Sequence, residues 1–156
     1  MEAALARTFL DFSAAKLRQL SSRIEACLSL LNEEQVWARG GEHENAIGNL
    51  VLHLCGNVGQ WLLAGVGGAP DTRVRDREFQ ARGGITIPQL KELLERSIAE
   101  ATALLERVPP EQLTQRITVQ KHDETVLEAI YHVVEHFSMH TGQIIFATKV
   151  ISGKSL

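Results

Sequence analysis

The chain has 156 residues, 44% hydrophobic and 22% charged, the size of one domain that can bury roughly 70% of its unfolded surface without cross-links. Its formal net charge of −3, with basic and acidic residues interspersed rather than gathered in a stripe, argues against nucleic acid or an anionic membrane as partner. Only Cys27 and Cys55 are present, too far apart for a thiolate zinc knuckle; with no secretory start and no membrane-length apolar run, the expected compartment is the cytoplasm.

From Leu5 to Leu31, the residues Leu5, Phe9, Phe12, Leu17, Leu20, Ile24, Leu28 and Leu31 recur at three- and four-residue steps, which predicts a long amphipathic first helix. Asn32 to Glu44 is polar apart from Val36 and Trp37 and holds Gly40-Gly41, so it reads as a loop with room for one helical turn. Trp37 is expected to cap the core. A second helix is expected from an Asn45 N-cap to Val66, ended by Gly67-Gly68 and Pro70. Gly48, Gly56 and Gly59 lie inside it, each costing about 1 kcal/mol against Ala, so another element should approach closely there.

Residues 67–87 form a long charged connection, a crossover between helices two and three that reads either as a solvated link or as a functional loop. Thr86 caps and Pro88 starts a third helix, whose stripe of Leu90, Leu94, Ile98, Ala101 and Leu105 ends before Pro109-Pro110. Ile117 and Val119 alternate, but with no evident partner strand the stretch 111–122 is read as extended loop. The fourth helix is predicted from an Asp123 N-cap to Ile151, before Gly153. The expected fold is all-α, a four-helix bundle forming a single domain over residues 1–156.

The fourth helix carries His132, His136 and His140 at four-residue intervals. Each such step turns a side chain by about 40°, so neighbours project from one side a turn apart. His136 and His140 fall beside Ala129 and Ala147 on the core-facing arc, whereas His132 lies at its margin. His53 on the second helix has the same setting, beside Ala46 and Ala64. A single histidine on an apolar face is ordinarily a hydrogen-bonded core residue. Three facing inward are costly to bury unpaired, and converging on one divalent ion would satisfy them together. His53, His136 and His140 are therefore the candidate metal ligands, a set that leaves coordination positions open and suits zinc, nickel or ferrous iron equally. Asn57, Gln143 and His132 are candidates for orienting the ligands or facing a substrate. No acidic residue shares the histidine-bearing arcs, which leaves a metal-bound species without a general base and favours thiol chemistry over hydrolysis.

Asn45-Ala-Ile-Gly-Asn-Leu-Val-Leu-His-Leu-Cys-Gly-Asn with Gln60-Trp61, the segment Arg75-Asp-Arg-Glu-Phe79, and His136-Phe-Ser-Met-His-Thr-Gly-Gln-Ile together resemble the DinB-like superfamily over nearly the whole chain. That resemblance implies a four-helix bundle, a divalent metal on His53, His136 and His140, and frequent dimerisation. It implies an activity among metal-dependent hydrolases or S-transferases that use low-molecular-weight thiols. Where the family often has a basic residue after the last ligand, this chain has Thr141. Two functions follow as expectations. One is a metal-dependent enzyme acting on a small-molecule substrate, with Arg73, Arg75, Arg77 or Arg82 holding carboxylates. The other is a non-catalytic metal- or small-ligand-binding stress-response protein. The wide apolar arc of helix four, with Leu127, Val134 and Ile145, calls for a second packing surface, which is either a neighbouring helix of the bundle or a homodimer contact, and a homodimer is the expectation.

Overall fold

The computed structural model describes residues 1–154, and the chain is mostly helical. Helix α1 spans Glu2–Leu28 and the single turn α2 Glu33–Val36. Helix α3 spans Ile47–Val58 and runs on into a π-helical segment, Gly59–Val66. Helices α4 (Arg75–Gln80), α5 (Ile87–Arg107) and α6 (Val126–Ser152) follow, with strands β1 (Arg116–Val119) and β2 (His122–Thr125) between the last two. Helix α1 packs on α5 and α6, and α3 packs on the same two. Their shared interior holds Leu10, Leu17, Ile24, Leu54, Leu90, Leu94, Ile130 and Phe137, all essentially inaccessible. Among the described residues no helix is long and apolar enough to cross a membrane.

The local signals act where the sequence places them, with some displacements. In α1 the buried seam is Leu10, Ala14, Leu17, Ser21, Ile24 and Leu28. Leu5 and Phe12, expected on that seam, project outward at 73% and 64% exposure, and Lys16 lies over the Phe12 ring. Arg7 donates to the carbonyls of Leu105 and Glu106, the kind of cation that satisfies a helix C-terminus. Thr86 caps α5 as expected, and Gln89 completes a capping box with it. The cap of α6 is Thr125, not Asp123: Thr125 and Glu128 exchange backbone-to-side-chain bonds. Asp123 instead lies in β2 and pairs with Arg116 across the hairpin. Gly153, in the left-handed region at φ 66°, ends α6 as expected.

The stretch expected to be extended loop is a β-hairpin, β1 antiparallel to β2 with Val119 opposite His122. Its turn is Gln120-Lys121, both at positive φ, 54° and 83°. Two-residue turns of this kind ordinarily announce themselves by Asn-Gly or Asp-Gly, and neither is present. The 67–87 connection also differs from a solvated link, because α4 docks on α3. Asn49 makes the joint: its carbonyl accepts the Ala46 N–H, and its amide donates to the carbonyls of Glu78 and Ala81. Arg39 reinforces it, donating to Asn49, Phe79 and Ala81. This anchoring carries Glu78 and Phe79 to His53.

Candidate metal centre

His53 from α3 and His136 and His140 from α6 come together where those helices pack. The Nε2 atoms of His53 and His140 each lie 3.1 Å from His136 Nε2, and the three ligand nitrogens are all within 4.8 Å of one another. Two nitrogens about 2.0–2.1 Å from one ion at tetrahedral or right angles are about 3 Å apart, so the two short edges fit a metal. His53 is buried, and His136 and His140 are partly buried. Among the described residues, no carboxylate joins this group.

The far sides of the rings show which nitrogen is available. Glu78 Oε2 lies 2.9 Å and Arg73 Nη2 3.1 Å from His53 Nδ1; the shorter contact is to an ionised carboxylate, which only accepts, and it favours the proton on Nδ1, leaving Nε2 its lone pair. Burial pushes the Glu78 carboxyl up, but hydrogen bonds from His53 and Arg73 outweigh it and hold the group below its ordinary range. Arg73 forks onto the same carboxylate, Nε to Oε1 at 2.7 Å and Nη2 to Oε2 at 2.9 Å. Both side chains are about nine-tenths buried or more. His140 Nδ1 lies 2.7 Å from Gln143 Oε1, which sets the same tautomer. His136 is the exception: its Nδ1 is buried without a partner.

Protonation is suppressed at the two α6 histidines. Burial, then the neighbouring His140, His53 and His132, push His136 down to about 3. Burial also lowers His140, against the Gln143 hydrogen bond. Neutral imidazoles with lone pairs turned inward are what a divalent cation requires. The donor set and spacing fit such an ion.

Of the other residues singled out from sequence, Gln143 reaches a candidate ligand, His140, directly. His132 lies tilted against Trp61, with ring centroids 4.2 Å apart, and stacks more distantly on His136, at 5.7 Å by the same measure. Asn57 is buried, but its Oδ1 finds no partner. Thr141 is buried and donates to the Phe137 carbonyl, so that position does not face the site. The loop arginines divide: Arg73 is taken up by Glu78, Arg75 lies over the Phe79 ring, and Arg82 binds the carbonyls of Phe79 and Ala81. The cysteines offer no nucleophile by geometry or charge. Both are buried, and burial pushes the Cys55 thiol up to about 12.

Glu78 is the residue that sequence reasoning missed, and Arg73, expected to hold a substrate carboxylate, holds Glu78 instead. The signal was Gly56. A Cβ there would overlap Glu78 Oε1 and stand 2.9 Å from Arg73 Nε, so the glycine opens the path by which the carboxylate reaches His53. Gly48 likewise admits the Trp37 ring, whose indole donates to the Ile85 carbonyl. Gly59, grouped with them in the sequence, meets nothing within 4 Å.

The chain belongs to the family described as protein of unknown function (DUF1572), whose model matches residues 4–156. It is similar to a solved structure described as the conserved protein of locus from Enterococcus faecalis, at 16% identity and a TM-score of 0.79, over 92% of this chain and 96% of that one. At that identity the likeness shows a shared fold. No curated protein matches the chain.

Proposed function

We propose that this DUF1572 chain is a divalent-metal protein of the DinB-like four-helix-bundle type, holding zinc, nickel or ferrous iron on His53, His136 and His140, and that it is a metal-dependent enzyme. The observation that carries this reading is the convergence of three Nε2 atoms, with the far nitrogen of His53 held by a buried, arginine-paired carboxylate. When bound, an ion there supplies Lewis acidity, which lowers the pKa of a thiol or water or polarises a substrate oxygen. Both Glu78 oxygens are engaged by Arg73 and His53, so Glu78 orients a ligand and is not free to act as a general base. That supports transfer of a low-molecular-weight thiol to a small electrophile over hydrolysis.

The test is elemental analysis of the purified protein beside His53→Ala and His136→Ala, followed by thiol–electrophile and ester panels. Stoichiometric metal lost from both variants, with turnover that His136→Ala abolishes, is the expected result. Metal retained by both variants would sink the metal reading. Metal without turnover would favour the alternative, a non-catalytic metal-binding stress-response protein. A homodimer belongs to either version: Tyr131, Met139, Phe146 and Val150 project from α6 at 53% to 71% exposure, an apolar strip of the kind that marks an interface.

A further inference from the structure

The Arg73–Glu78 pair has a second neighbour besides the histidines. It forms part of the wall of a cleft of about 540 Å³ between α3, the π-helical segment, the segment around α4, and α5; none of the three candidate ligands lines it. Its apolar lining includes Leu52, Leu63 and Leu93, together with Gly56 and Gly59. Gly56 is explained by Glu78. Gly59 is not: its φ of −56° and ψ of −45° suit any residue, and a side chain would meet nothing within 4 Å. A glycine there costs the helix about 1 kcal/mol against Ala with no packing to offset it. The helix widens into its π-helical segment at this same residue, a distortion that recurs at functional sites.

The charges on the wall are unevenly satisfied. Asp71 accepts from Gln60 and from the Arg73 backbone, and Glu78 is held by Arg73 and His53. Arg77 from α4 and Arg96 from α5 also line the cleft, and neither has an ion-pair partner among the described residues. Glu100 is the remaining carboxylate on the wall. The wall carries three arginines, Arg73, Arg77 and Arg96, against three carboxylates, Asp71, Glu78 and Glu100. Asp71 and Glu78 already accept from Gln60, Arg73 and His53, so the unengaged guanidiniums of Arg77 and Arg96 are the donors left for an incoming anion, and guanidinium forks suit carboxylate, phosphate and sulfonate oxygens.

We propose that this cleft is a binding site for a small organic anion, its charged head held by Arg77 and Arg96 and its apolar body lying over Gly59 and the leucines. The site does not depend on metal at the histidines, so it is tested on metal-free protein. The probe is 8-anilinonaphthalene-1-sulfonate, which joins a sulfonate head to an apolar body, followed by fluorescence titration. Wild type should bind saturably. Gly59→Leu, which fills the cleft, and the double variant Arg77→Gln/Arg96→Gln should each bind at least tenfold more weakly, with melting temperatures at or above wild type. Should Gly59→Leu melt early, Leu93→Trp closes the same space from α5. Phe146→Asp, on the exposed α6 strip, should bind as wild type does. No saturable binding by wild type, an undiminished affinity in either the cleft-filling or the arginine variant, or a loss in Phe146→Asp would overturn the proposal.

Discussion

Gly56 and Gly59 lie three residues apart at the end of one helix, and replacing each by alanine should move stability in opposite directions. Both substitutions gain about 1 kcal/mol of helix propensity. At Gly59 nothing opposes the gain, since the new Cβ meets no atom within 4 Å. At Gly56 the Cβ overlaps Glu78 Oε1. The end of a glutamate would ordinarily swing aside at little cost, but this one is pinned between Arg73 and His53 and is 8% exposed. Displacing it leaves a buried guanidinium short of its partner, at a cost of about 3 kcal/mol at the lower end for such pairs. The net expectation is a loss of about 2 kcal/mol for Gly56→Ala, or about 4–8 °C in melting temperature for a chain of this length, against a gain of about 2–4 °C for Gly59→Ala. Thermal and urea unfolding of the metal-free proteins measure both. If Gly56→Ala is stabilised like Gly59→Ala, Glu78 is not held as described, and the carboxylate support of His53 fails with it.

Glu78→Gln keeps the shape but removes the charge behind His53, and metal affinity measured by chelator competition should fall about ten- to hundredfold; an unchanged affinity would detach Glu78 from the metal centre. Acid should destabilise the metal-free protein before its carboxylates titrate. Unfolded histidine takes up a proton near about pH 6.5, whereas folded His136 resists it down to about 3. The unfolded state therefore binds more protons in that window, and stability falls as pH drops from 7 to 5. The urea midpoint should follow, with a shallower slope in His136→Phe; equal slopes would contradict the assignment. Replacing Gln120-Lys121 by Asn-Gly relieves two positive-φ positions and should raise stability by about 1 kcal/mol, whereas a loss would mean that the turn has another form. On the dimer reading, Phe146→Asp should convert a dimer seen by light scattering to monomer, and a wild-type monomer at micromolar concentration removes that reading.

The sequence by itself determined most of what is local. Helix spans, the Thr86 cap and the Gly153 stop follow from periodicity and from how nearby side chains satisfy helix ends, and both act within a few residues. The orientation of His53, His136 and His140 was legible for the same reason, since a residue's direction on a helix depends on its place in the repeat and on the apolar residues around it. The hairpin was not, because its turn uses Gln120 and Lys121 at angles that glycine or asparagine would have advertised. The outward turn of Leu5 and Phe12 was hidden too, since the choice between adjacent apolar seams is made by the neighbouring helices. Tertiary structure alone decided what stands behind the candidate ligands. Glu78 is 25 residues from His53 in sequence, and it reaches the ring because Asn49 and Arg39 hold its loop against α3 while Gly56 leaves the space. No period or cap in the sequence encodes that meeting; it exists only once the loop has docked, and the one trace it left was a glycine that helix propensity would not have chosen.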